Sequence, residues 1–161
     1  WAALRTGNAI ALMRHADAPG GFGDPQGFRI DNCATQRNLS AGGRAEAARV
    51  GAAFRERGIR PARIVSSPWC RCVDTARLMD VGPIDIDNTF GNPVVWTDRR
   101  DALASGGRAV IRAWKGPGML LVVTHGALIA QLTGYNPASG EIVVVDNALR
   151  EIGRIPVPAS R

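Results

Sequence analysis

The sequence predicts one α/β domain in three layers (α/β/α), with helices on both faces of a mostly parallel central sheet. Two observations lead to this prediction. Short apolar segments of strand character alternate with longer segments of helical periodicity. The chain also has 161 residues, of which 45% are hydrophobic, and this suffices for one domain with its own core over residues 1–161. Ligands of such folds bind where the carboxyl ends of the strands line up.

The first half of the chain shows clear helix signals. Ser40 has the residue type of a helix N-cap, and Gly58 has that of a helix end. Ser67 and Pro68 have the types found at an N-cap and in a first helical turn. The predicted elements are a strand over 8–13, a loop over 18–31, a helix from Ser40 to Gly58, a strand over 62–66 and a helix from Ser67 to about Met79.

The second half continues the alternation and ends in a hairpin. Residues 119–124 form the most apolar segment, which is typical of a buried parallel strand. Asp146 and Asn147 separate two further strand-like segments. The predicted elements are a strand over 84–87, a loop over 90–97, a helix over 98–115 broken at 105–107, a strand over 119–124, a helix over 127–132, and strands over 142–145 and 150–155.

The formal charge of +6 comes from 20 basic against 14 acidic residues. Many of the arginines lie between residues 44 and 63, but Glu46 and Glu56 lie among them and no aromatic-rich strand accompanies them. This pattern favours a solvated helix face over a nucleic-acid partner. The longest apolar run, residues 119–123, is far shorter than the roughly 20 residues of a membrane-spanning helix. We therefore expect no membrane span.

The two histidines occupy equivalent places. His15 follows the first predicted strand, and His125 follows the strand over 119–124. Because the carboxyl ends of parallel strands meet at one edge of a sheet, both imidazoles are expected at that edge.

Three arginines are placed to join the histidines. Arg71 lies in the first turns of the helix predicted from Ser67, where free N–H groups attract anions, and its guanidinium matches a phosphate or carboxylate. Arg14 adjoins His15, and Arg37 precedes the predicted helix at Ser40. The sequence predicts an anion site, with Arg71 at the ligand edge rather than packed in the core.

Three motifs occur in order along the chain: Leu12-Met13-Arg14-His15-Ala16, Ser66-Ser67-Pro68-Trp69-Cys70-Arg71 with Thr75-Ala76, and Val123-Thr124-His125-Gly126. Together they resemble the histidine phosphatase superfamily, which has the phosphoglycerate mutase-like fold. The residues from Leu39 to Ala47 also resemble that family's Leu-Ser-x-x-Gly helix. The resemblance extends from residue 10 to about residue 145.

The resemblance implies a phosphatase that hydrolyses a small phosphomonoester through a phosphohistidine intermediate on His15. Arg14, Arg71 and His125 would hold the phosphate, with Arg37 as a fourth group, and neither a metal nor another cofactor is expected. Arg14 beside His15 is expected to disfavour the protonated imidazole. Two alternatives stay open. One is a phosphomutase with the same site, and the other is an inactive module that binds phosphate or a phosphopeptide.

The general acid is not identified by any motif. Many members of the superfamily supply a Glu downstream of the second Arg, whereas that region of this chain offers only aspartates, among them Asp85 and Asp87. Glu141 is the other candidate, because it precedes the predicted strand over 142–145 and would begin near the active edge. Ala16 also replaces the Gly that usually follows the first His.

The chain has three cysteines. By the resemblance, the Arg37 segment approaches the Arg71 helix, so Cys33 could form a disulfide with Cys70 or with Cys72. The residues around Cys33 also resemble an exported bacterial branch of the superfamily. This favours a periplasmic or secreted protein; the alternative is a cytoplasmic protein with three buried thiols.

Overall fold

The computed structural model describes residues 1–159. Within these residues six strands form one sheet. From one edge to the other their order is β3-β2-β4-β1-β5-β6, with parallel pairing from β3 to β1 and antiparallel pairing for β5 and β6. The strands are β1 (Ile10–Arg14), β2 (Arg63–Ser66), β3 (Ile84–Ile86), β4 (Leu120–Thr124), β5 (Ile142–Val145) and β6 (Glu151–Ile155).

Five α-helices and three 3-10 turns connect the strands. Ser40 caps the second helix as predicted, since its side chain accepts a hydrogen bond from the N–H of Gly43 at 2.9 Å. The α-helices are α1 (Ala2–Arg5), α2 (Ala41–Glu56), α3 (Cys70–Met79), α4 (Arg100–Ala113) and α5 (Gly126–Thr133). The 3-10 turns are Cys33–Thr35, Asn88–Phe90 and Thr97–Arg99.

The core lies on both faces of the sheet because the side chains of a strand alternate between faces. Ala11 and Met13 of β1 pack on the face covered by α2 and α3. Ile10 and Leu12 pack on the opposite face, against α4 and α5. The predicted three-layer α/β fold is therefore confirmed. None of the helices within residues 1–159 is long and apolar enough to cross a membrane.

The start of α3 differs from the prediction. The helix begins at Cys70 rather than at Ser67, and Trp69 is its N-cap residue with an extended backbone. The hydroxyl of Ser67 lies instead 2.8 Å from Nε2 of His125. The predicted N-cap is therefore two residues too early, because the hydroxyl of Ser67 contacts His125, which follows a distant strand.

The predicted break in α4 at residues 105–107 is also wrong, since the helix is continuous from Arg100 to Ala113. The glycines in it allow close packing. A Cβ on Gly106 would lie 2.8 Å from the side chain of Thr89, and one on Gly107 would lie 3.4 Å from that of Leu132. Because these two glycines have no side chain, α4 packs close to α5 and to the turn at Asn88–Phe90.

Candidate active site

His15 lies directly after β1, at the carboxyl end of the strand. Its backbone N–H donates to the carbonyl of Thr124 at 2.9 Å, and its own carbonyl accepts from the N–H of Gly140 at 3.2 Å. Its ring Nδ1 lies 2.8 Å from the carbonyl oxygen of Ala16. Because a carbonyl oxygen can only accept, Nδ1 carries the ring proton and Nε2 keeps its lone pair. In this tautomer Nε2 is the ring nitrogen that can accept a proton or bond to an electrophile.

His125 follows β4 and forms the N-cap of α5. Its ring centroid lies 5.5 Å from that of His15. The structure thus brings the two histidines together at the carboxyl edge of the parallel strands, as the sequence predicts. Both residues are 3% exposed.

Burial keeps both imidazoles neutral. The pKa of His15 is lowered to about 3, and burial makes the largest contribution. The positive charge of Arg71 follows, and the charge of Arg14 has a smaller effect. Burial also lowers the pKa of His125 well below its ordinary value, with a further contribution from His15. The sequence expectation named Arg14 as the cause for His15, but the enclosed position of the ring has the larger effect.

The free energy of unfolding is expected to decrease as the pH falls from about 6.5 to about 5. In this range the unfolded chain binds a proton at each histidine, near the ordinary pKa of 6.5, while folded His15 stays neutral down to about pH 3. The unfolded state thus binds more protons, and stability increases with pH up to about 6.5. Each histidine adds a slope of up to about 1.4 kcal/mol per pH unit. Urea denaturation at several pH values measures this slope.

The variant His15→Gln is the control for that measurement because glutamine does not titrate. Its slope should be shallower than that of the wild-type chain. A free energy of unfolding that stays constant between pH 5 and 6.5 contradicts the prediction.

A pocket of about 220 Å³ opens in front of the histidines. Four of the predicted site residues line it, namely Arg14, His15, Arg37 and His125. The sequence did not indicate that Asn92 and Asn136 also line it, since each lies in a loop where no motif marks it. Two residues with exposed apolar side chains, Phe22 and Val94, lie at the same pocket.

Backbone carbonyls hold the two arginines of the pocket. Arg14 donates from Nη1 to the carbonyl of Pro137 at 2.8 Å. Arg37 donates from Nε to the carbonyl of Gly23 at 2.9 Å and from Nη1 to the carbonyl of Ala18. A carbonyl does not neutralise a guanidinium, so both arginines keep their charge for an anion. Within residues 1–159, the buried Nε of Arg14 has no hydrogen-bond partner.

The structure places Arg71 beneath the pocket rather than at the ligand edge, and the prediction for its position is wrong in this respect. Arg71 is fully buried and does not line the pocket. Its Nη1 lies 2.8 Å from Oδ1 of Asp24 and 3.2 Å from the carbonyl of Arg37, to which it donates. The guanidinium therefore acts on the histidines through its charge.

The partner of Arg71, Asp24, was missed by sequence reasoning because a single carboxylate in a glycine-rich loop gives no periodic signal. Oδ1 accepts from Nη1 of Arg71 and from the backbone N–H of Arg37, and Oδ2 accepts from Nε1 of Trp69 and from Nη2 of Arg71. Burial alone would raise the pKa of Asp24, but these hydrogen bonds and the charge of Arg71 outweigh it and lower the pKa. Asp24 is therefore an ionised, fully satisfied carboxylate.

A disulfide joins the loop that precedes α2 to the start of α3. It links Cys33 and Cys70 across a sequence separation of 37 residues. Next to it, the N–H of Cys70 donates to Oε1 of Gln36 at 3.0 Å. Of the two pairings left open by the sequence, the structure has the one with Cys70. Cys72 is a buried free thiol, and burial raises its pKa to about 12.

The structure does not bring the candidate general acids to the pocket. The carboxylate of Glu141 accepts from the N–H of Ala138 at 2.7 Å and from the hydroxyl of Tyr135 at 3.1 Å. Only its backbone lies near the site, where its carbonyl accepts from the N–H of Arg14. The expectation that the Glu141 side chain faces the active edge is therefore wrong.

The two aspartates have local partners as well. Asp85 pairs with Nε of Arg63 at 3.0 Å, and Asp87 accepts from the N–H of Thr89 at 2.8 Å. Within residues 1–159 no carboxylate lines the pocket. The same residues contain no group of three or more His, Cys, Asp or Glu side chains that could hold a metal ion.

Comparisons with known proteins identify a family and a shared fold. The family model described as "Histidine phosphatase superfamily (branch 1)" matches residues 10–90. SixA from Agrobacterium tumefaciens is 21% identical, with 94% of this chain and 99% of that chain covered and a TM-score of 0.67. Phosphoglycerate mutase from Thermus thermophilus is 17% identical, with 93% and 99% covered and a TM-score of 0.68.

A third solved structure, the protein histidine phosphatase SixA complexed with tungstate, is 17% identical and has a TM-score of 0.62. The match covers 91% of this chain and 96% of that chain. At these identities the structures share the fold. A comparison with curated protein sequences gives no significant match.

Proposed function

Because the chain belongs to the histidine phosphatase superfamily (branch 1), we propose that it is a phosphatase that hydrolyses a small phosphomonoester through a phosphohistidine intermediate on His15. One observation carries this proposal. The Nδ1 of His15 is committed to the carbonyl of Ala16, and its Nε2 is therefore a free lone pair in a pocket that also holds two arginines. Such an imidazole can attack phosphorus at neutral pH.

The reaction divides into two displacements. In the first, Nε2 of His15 forms a bond to phosphorus while the bond from phosphorus to the ester oxygen breaks, and the departing alkoxide takes up a proton from water. In the second, a water oxygen attacks the phosphohistidine, the N–P bond breaks, the attacking water gives up a proton to solvent, and inorganic phosphate leaves. His15 returns to its neutral form, and no metal takes part.

Fixed positive charge stabilises the phosphoryl group as it moves. Arg14 and Arg37 contribute guanidinium groups, and Gly126 begins a helix whose first N–H groups lie at the pocket. These donors are in place before the substrate binds, so they need no reorganisation when charge develops on the phosphoryl oxygens.

A second candidate activity is the hydrolysis of phosphohistidine. No carboxylate lines the pocket within the described chain, so no such group is positioned to protonate a departing alkoxide. An imidazole has an ordinary pKa near 6.5 and leaves more readily than an alkoxide. The fold likeness to SixA, a protein histidine phosphatase in the tungstate complex, adds support.

Phosphate release from three substrates tests these proposals: p-nitrophenyl phosphate, glycerol phosphate and a phosphohistidine peptide, each with and without EDTA. We expect activity that persists in EDTA and decreases strongly in Arg37→Ala. Arg63→Ala is the matched control, because Arg63 is a surface arginine away from the pocket. Isomerisation of the phosphorylated substrate, with the phosphoryl group returned to another of its hydroxyls and no release of phosphate, identifies a phosphomutase. Binding of inorganic phosphate without turnover of any substrate identifies an inactive binding module.

We also propose that the protein is periplasmic or secreted. The disulfide between Cys33 and Cys70 supports this, since such bonds persist mainly in oxidising compartments. Thiol titration of the denatured, unreduced protein from its native source should find one free thiol, that of Cys72. Three free thiols overturn the proposal in favour of a cytoplasmic protein.

A further inference from the structure

The hydroxyl of Ser67 makes a buried contact with His125 that has no role in the two proposed displacements. Ser67 is fully buried between β2 and α3, and its Oγ lies 2.8 Å from Nε2 of His125. The thiol sulfur of Cys72 lies 3.6 Å from the same nitrogen. Two groups that can donate a proton thus face one nitrogen of His125.

The other ring nitrogen has no partner. Nδ1 of His125 is buried and makes no hydrogen bond to any residue within 1–159. Since His125 lines the pocket, a bound ligand is the available partner for this nitrogen. A phosphate oxygen is a hydrogen-bond acceptor, so it can bind Nδ1 only when that nitrogen carries the proton.

The contacts of Ser67 favour this tautomer. If Nε2 carried the proton, it would donate to Oγ of Ser67, and Ser67 could not donate to His125. Nδ1 would then be an unpaired acceptor beside the phosphate oxygens. If Ser67 donates to Nε2 instead, the proton lies on Nδ1. The oxygen of Ser67 still accepts, at 3.4 Å, from the N–H of Trp69.

We infer that Ser67 is a positioning residue that holds His125 in its Nδ1–H tautomer, so that His125 donates a hydrogen bond from Nδ1 to the phosphoryl group. This inference rests on the proposed function. His125 is buried next to His15 and the arginines, so it acts as a neutral donor, and the tautomer decides whether it can donate at all. A hydroxyl that fixes the far nitrogen of a histidine orients the near one, as outer partners of metal-bound histidines do.

Nitrogen NMR of the histidine rings tests the inference directly. The chain has only two histidines, and the His15→Gln variant assigns their signals. In the wild-type protein we expect the proton of His125 on Nδ1 and a bare Nε2. In Ser67→Ala we expect the proton to redistribute towards Nε2. Ser67→Thr keeps the hydroxyl and should restore the wild-type tautomer.

Kinetics and phosphate binding give the second measurement. Ser67→Ala should lower kcat/KM by about 100-fold, the loss expected for one misplaced transition-state donor, and should weaken the binding of inorganic phosphate. Ser66→Ala is the matched control, because the hydroxyl of Ser66 is equally buried but donates to the carbonyl of Ser67. It should leave the His125 tautomer unchanged.

A proton on Nε2 in the wild-type protein overturns the inference, and this result needs no variant to fold. An unchanged tautomer and unchanged phosphate affinity in Ser67→Ala also overturn it. Failure of the proposed function looks different. In that case the wild-type protein releases phosphate from none of the substrates, while the tautomer of His125 is still read by NMR.

Discussion

Replacing His15 by alanine is expected to abolish turnover and to prevent formation of the proposed covalent phosphoenzyme. The wild-type imidazole has its proton held on Nδ1 by the carbonyl of Ala16, so Nε2 is the atom that accepts the phosphoryl group in the proposed reaction. Rapid quenching with a radiolabelled substrate should trap phosphate on the protein. The label should be stable in base and labile in acid, as a phosphoramidate is. In His15→Ala no label should be trapped.

His125→Ala is the matched comparison because it removes the other buried histidine of the pocket. This variant should slow both displacements while the label stays on His15, since His125 contributes a hydrogen bond and not the nucleophile. Label on a serine or an aspartate contradicts the mechanism. Full turnover by His15→Ala contradicts it as well.

Replacing Arg71 by alanine is expected to destabilise the fold by about 3–5 kcal/mol, as removal of one partner of a buried ion pair does. Both side chains of the Arg71–Asp24 pair are 0% exposed, so the carboxylate of Asp24 would be left charged and buried. This outcome differs from what the sequence predicts, since an arginine at a ligand edge rather than in the core would contribute little to stability. Activity should decrease by about 100-fold or more, because the loop that presents Arg37 is bonded to Asp24.

A double-mutant cycle separates the pair from its surroundings. Arg71→Met combined with Asp24→Leu removes both charges, and urea denaturation should show a smaller loss than the sum of the two single variants. Arg63→Ala is the control because its pair with Asp85 is solvent-exposed, and its stability should change little. If Arg71→Ala unfolds at the wild-type urea concentration, the buried pair does not hold the loop.

The part of the site that the sequence predicts depends on strand ends. His15 and His125 follow two apolar strands that pair in parallel, and parallel strands bring such positions to one edge of the sheet. Arg14 was predicted because it is next to His15 in the chain, and Arg37 was predicted because it precedes the start of α2. These four residues do line one pocket.

The rest of the site depends on contacts between distant segments, which periodicity does not encode. Arg71 was predicted at the ligand edge because it opens a helix, but it pairs with the carboxylate of Asp24, which lies in a loop 47 residues earlier in the chain. Glu141 precedes β5 beside the active edge. Its carboxylate, however, accepts hydrogen bonds from the hydroxyl of Tyr135 and the N–H of Ala138 and does not line the pocket. In each case the partner, rather than the position in the chain, decides where the charge lies.

The attachments of His15 determine how much the protein must move during a catalytic cycle. Its N–H is tied to β4 and its carbonyl to Gly140, while Ala16 donates its own N–H to the hydroxyl of Thr75 in α3 at 3.1 Å. Three segments therefore clamp the backbone that carries the nucleophile. These backbone contacts, together with the contact of Nδ1 with the carbonyl of Ala16, hold the imidazole in place. In the proposed reaction it is therefore the phosphorus atom that moves, from the leaving oxygen towards Nε2.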